Sequence, residues 1–70
     1  MNLAEAKING QWRIKAISNL QLEVKLLELG FAKNTSLTLL RKAPSGGPLT
    51  IENQRVQIML RVEDARNIEL

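Results

Sequence analysis

Apolar positions set the element boundaries along this chain. From Gln11 to Ile17 they alternate as in a strand, with Trp12, Ile14 and Ala16 on one face and Arg13, Lys15 and Ile17 on the other. Ser18 and Asn19 are residue types that cap exposed amides at a helix start. Leu20 to Leu29 is rich in helix formers, and Gly30 stands where a left-handed cap ends a helix. Two stripes run along this helix, Leu22, Leu26 and Leu29 on one side and Leu20, Val24 and Leu27 nearly opposite. One stripe suffices to seat a helix on a small sheet, so the second needs its own cover. That cover is either the chain's own loops and N-terminal lead, another protein, or a second copy in a homo-oligomer.

Before this helix, Met1 to Gly10 is a short lead whose Leu3 and Ile8 can tuck against the body. After it, Asn34 suits a turn, and Thr35 to Lys42 reads as a strand with Leu37 and Leu39 inward. Ala43-Pro44-Ser45-Gly46-Gly47-Pro48 then forms a corner. Proline fixes φ and lacks a donor, and glycine reaches positive φ freely, so this stretch is a shaped connection rather than helix or central strand. Leu49 to Glu52 is a short strand, Glu52 to Arg55 a turn, and Val56 to Leu60 an alternating strand with Val56, Ile58 and Leu60 inward. Val62 to Ala65 makes one helical turn, and Asn67 to Leu70 a closing strand with Ile68 inward. The expected fold is mainly β. It is a small SH3-like, partly open barrel of about five strands, with one α-helix after the first strand and a helical turn before the last.

Composition narrows the chemistry. Seventy residues make one domain, 1–70, and there is no cysteine or histidine. Disulfides and thiolate or imidazole metal sites are thereby excluded, as is a general base that titrates near neutrality. Glu63 and Asp64 are adjacent, but neighbours on a helical turn diverge; Ser45-Gly46-Gly47 lacks the lysine and following helix of a phosphate loop. No enzyme, cofactor or metal site is expected. A net charge of +3 with scattered cations, and only Trp12 and Phe31 as aromatics, gives no nucleic-acid stacking platform. No apolar run approaches the roughly 20 residues needed to span a bilayer, so no direct membrane insertion is expected.

Four segments, in order, resemble the ferrous iron transport protein A (FeoA) family. They are the lead Leu3 to Gly10, the helix end Lys25-Leu26-Leu27-Glu28-Leu29-Gly30-Phe31, the corner Ala43 to Pro48, and the ending Leu60 to Leu70. Lys25 stands where the family usually has arginine, Lys33-Asn34 where it usually has Pro-Gly, and Leu70 where it closes on valine. The resemblance implies an SH3-like barrel. It also implies a cytoplasmic accessory role in bacterial ferrous iron uptake, through contact with the FeoB transporter and its GTPase domain. The contact residues expected from the chain itself are Leu20, Val24 and Leu27 on the helix, and Pro44, Ser45, Gly46, Gly47 and Pro48 at the corner. The alternative is a regulatory or nucleic-acid-binding small barrel, like the SH3-like domain of iron-dependent repressors.

Overall fold

Asn19 opens helix α1 (Leu20–Glu28), its side chain accepting from the Leu22 amide at 2.9 Å. The helix ends in a Schellman motif. Gly30 takes φ 91°, its amide bonds the Leu27 carbonyl, and the Phe31 amide reaches back to the Leu26 carbonyl at 2.8 Å. The motif's usual apolar contact is available, since Phe31 and Leu26 both lie in the core. These caps explain why so short a helix forms: two turns gain little from propagation alone and need both ends and one face fixed.

The computed structural model describes residues 1–70. Around α1 are six short strands: β1 (Gln11–Arg13), β2 (Ala16–Ile17), β3 (Ser36–Lys42), β4 (Leu49–Glu52), β5 (Gln57–Leu60) and β6 (Ile68–Glu69). A four-residue helix, α2 (Val62–Ala65), precedes β6, and a 3-10 turn at Leu3–Glu5 opens the chain. All pairings are antiparallel. One sheet has the order β1-β3-β4-β5, the other pairs β2 with β6.

The two sheets share one backbone. Ile14 exchanges bonds with Thr35 and Asn34 beside β3, and the next amide, Lys15, turns to the Glu69 carbonyl beside β6. The strand expected over Gln11 to Ile17 is therefore two strands, because it changes partner at its middle. The change breaks the alternation: Ile14 and Ile17 are both buried, and Ala16, expected inward, is exposed. The expected five strands become six for this reason alone. On its other side β6 is bridged by Asn2, and the Leu70 amide bonds the Met1 carbonyl. A circuit thus runs β5-β4-β3-β1/β2-β6, with α2 joining the two ends of the opening. This is the partly open barrel.

The core contains Leu3, Ala6, Ile14, Ile17, Leu22, Leu26, Phe31, Leu37, Leu39, Leu49, Ile51, Leu60, Ala65 and Ile68. Ile8 does not tuck in as expected; it is half exposed, and Ala6 takes the inward place beside Leu3. Leu29, expected on the inward stripe, is the helix's C-cap and is partly exposed. Val56 and Ile58 are half-buried and only Leu60 of their strand is fully inside. Leu39 is inside, and a register shift between it and Arg41 leaves Leu40 half-buried. Thr50 is a buried polar residue on the central strand, paired with Arg41 and Met59 on either side. Trp12 rims the core, its Nε1–H donating to the Lys7 carbonyl at 3.4 Å.

Asn53 ties the β4–β5 turn to the helix. Its Oδ1 accepts from the amides of Arg55 and Val56, and its Nδ2–H donates to the Leu29 carbonyl at 3.0 Å. We expect Asn53→Ala to lose about 1–3 kcal/mol, because it orphans amides and a helix-end carbonyl together. A lowered urea midpoint at unchanged slope would show it.

Candidate functional site

The clearest surface feature is on α1. Leu22 and Leu26 face the barrel, while Leu20, Val24 and Leu27 are 74, 52 and 60% exposed. Of the covers considered for this second stripe, the chain's own loops and lead are now excluded: nothing in the molecule lies over it. The stripe presents roughly 300 Å² of apolar surface, the lower end of the size of patch that is commonly functional on a small monomer.

Two carboxylates border the stripe. At about 100° per residue, Glu23 lies to one side and Glu28 to the other, with Gln21 beyond Glu28. Neither glutamate is in an ion pair within the chain. The one ion pair is Arg61 Nε to Asp64 Oδ2, 3.3 Å, with the arginine side chain largely in solvent. Arg61 therefore serves α2 locally, at the helix start it precedes.

Pro44 to Pro48 forms the tip of the β3–β4 hairpin. The Ala43 amide bonds the Pro48 carbonyl, and inside that pair the Gly47 amide bonds the Pro44 carbonyl at 3.2 Å. Ser45 and Gly46 have φ of 58° and 74°, the positive pair of a type I′ turn. Gly47 is required for a different reason: a Cβ there would sit 2.7 Å from the Ala43 Cβ. Pro44, Ser45 and Gly46 are exposed, Gly47 and Pro48 half-buried. A serine at positive φ is strained, and asparagine is the residue this turn position favours. Ser45→Asn should raise stability by about 0.5–1 kcal/mol and Ser45→Val should lower it, read as opposite shifts of the thermal midpoint.

The stripe and the corner are not one site. The C-terminal end of α1 is held by Asn53, at the Glu52 end of β4, whereas the corner closes the Leu49 end. Sequence reasoning named both surfaces but could not place them relative to each other.

A third feature, missed in the sequence, is an open groove of about 520 Å³ beside the β4–β5 turn. Ligand sites of that size are mostly apolar, whereas Leu37 is the one hydrophobic residue lining this groove. Nowhere do three or more aspartate or glutamate side chains converge in a way that could hold a metal ion. No helix is long and apolar enough to cross a membrane.

Barrel, capped helix and hairpin corner together define a small SH3-like domain with an open helix face. The FeoA domain family matches residues 1–70, and the chain belongs to that family. FeoA from Chlorobium tepidum superposes with a TM-score of 0.88 at 24% identity, over 99% of this chain and 67% of that one. FeoA from Stenotrophomonas maltophilia, complexed with zinc, superposes at 0.82 and 24% identity, over 99% of this chain and 87% of that one. That protein is described as a prokaryotic SH3 domain protein and a candidate activating factor of bacterial ferrous iron transport. The same fold occurs in a manganese-dependent transcriptional repressor, with a TM-score of 0.83 at 16% identity over 97% of this chain and 39% of that one.

Proposed function

We propose that this chain is a cytoplasmic accessory protein of bacterial ferrous iron uptake, a non-enzymatic module that docks on the cytoplasmic GTPase domain of a FeoB-like transporter. The observation that carries this reading is the uncovered stripe Leu20, Val24 and Leu27. Its three side chains are more than half exposed, although the same helix has a separate face that seats it on the barrel. Surface leucines scattered singly need no explanation, but three in register on one helix face are a contact surface in waiting. Family membership supports iron uptake as the setting, and the description of the Stenotrophomonas maltophilia relative points to activation of transport.

The corner is the second contact. A turn fixed by two prolines and two internal hydrogen bonds loses little entropy when a partner holds it. The repressor likeness carries the fold alone and supplies no observation in favour of nucleic-acid binding.

The test is retention of the purified chain on the immobilised cytoplasmic domain of the transporter. Retention that is insensitive to nuclease and only mildly sensitive to salt is the expected result. Failure to be retained, with binding to duplex DNA that falls steeply as salt rises, would instead favour the nucleic-acid reading.

A further inference from the structure

The spacing of the open stripe says what kind of surface fits it. Leu20, Val24 and Leu27 are separated by four and then three residues. That is the a/d spacing by which one helix meets another, knobs into holes. A second amphipathic helix presents a matching ridge of this period. In the same frame, Glu23 takes a g position and Gln21 and Glu28 take e positions, the places that set which helix pairs with which. Lys25 lies farther round, outside the seam. Both charged border residues are therefore acidic, and neither is neutralised by the chain's one ion pair.

A second copy is a poor occupant. A parallel pair would bring Glu23 of one copy against Glu28 of the other; an antiparallel pair would bring the two Glu23 residues together. The stripe is also small. Roughly 300 Å² per partner is well under half of what a stable interface buries on each side.

We infer that the stripe is the receptor face for an amphipathic helix of a partner protein, one whose own apolar seam is bordered by lysine or arginine. This rests on the docking function proposed above and names the chemistry of the surface that meets it. The small area makes the contact transient, and the acidic border makes it selective.

The test uses two synthetic helices of roughly 20 residues, long enough to be helical alone. Both carry leucines at four-three spacing; one has lysine at the e and g positions, the other glutamate. Wild-type chain should bind the lysine-bordered helix about tenfold more tightly. Glu23→Lys/Glu28→Lys should reverse the preference, and Leu27→Glu should abolish binding to both. Circular dichroism is the check that these surface variants remain folded. Bulk charge cannot mimic this result, since a chain of net charge +3 attracts the glutamate-bordered helix. Equal binding of the two helices, binding of neither, or a preference that the charge reversal leaves unchanged would overturn the inference. So would wild-type self-association that Leu27→Glu removes, which would give the stripe to a second copy. Retention by the transporter domain that survives both stripe variants would also sink it, while leaving the docking function in place. No retention of the wild-type chain, with its helix preference intact, would sink the docking function and leave the helix-binding face in place.

Discussion

Leu20→Glu/Leu27→Glu is expected to leave the fold intact and to weaken binding to the transporter's cytoplasmic domain by at least about 100-fold. Both side chains project into solvent, so no core volume is lost. Glutamate is a good helix former, and at Leu20, the first residue of α1, its charge complements the helix N-terminus. The thermal midpoint should therefore stay close to that of the wild type. Binding should not survive, because each substitution removes an apolar contact and places a carboxylate where a partner must exclude water. Leu20→Gln/Leu27→Gln separates the two effects: it removes the apolar surface without adding charge and should weaken binding less. Titration calorimetry gives the affinities, and circular dichroism the midpoints.

Phe31→Ala should have the opposite signature, with the fold itself lost or nearly so. Phe31 is fully buried, and its amide closes the Schellman motif on the Leu26 carbonyl. Removing a ring from a closed core costs about 3–5 kcal/mol. A single core of this size supplies little more than that in total, so the variant should show no cooperative melt at moderate temperature. Phe31→Leu keeps most of the volume and should melt cooperatively at a lower midpoint, a loss of about 1–1.5 kcal/mol. The pair distinguishes a volume effect from general intolerance at the position. If Phe31→Ala melted like the wild type, the ring would not be closing the core beneath α1.

Elements specified by neighbours in sequence were legible. Asn19 caps the helix it precedes, Gly30 and Asn34 take the positive φ that their positions suggested, and the proline-glycine corner is a hairpin tip. Each of these depends on a few adjacent residues. What depends on distant partners was not legible. Nothing between Gln11 and Ile17 signals that the strand leaves β3 for β6 at Lys15, and that departure is what brings Ile17 inside and Ala16 out. Asn53 was recognisable as a turn residue, but not as the clasp on Leu29, 24 positions away. The second helical stripe was visible as a pattern. Its meaning depended on whether anything folded over it, which only the packed molecule decides.

The most direct measurement is a two-dimensional amide NMR titration of the labelled chain with the unlabelled cytoplasmic domain of the transporter. Shifts or broadening concentrated on Leu20 to Glu28, with a second set at Ser45 to Gly47, are the expected result. Saturating transporter domain that leaves the helix amides unmoved, or perturbs only the polar groove beside Asn53, would contradict the docking function assigned to this face.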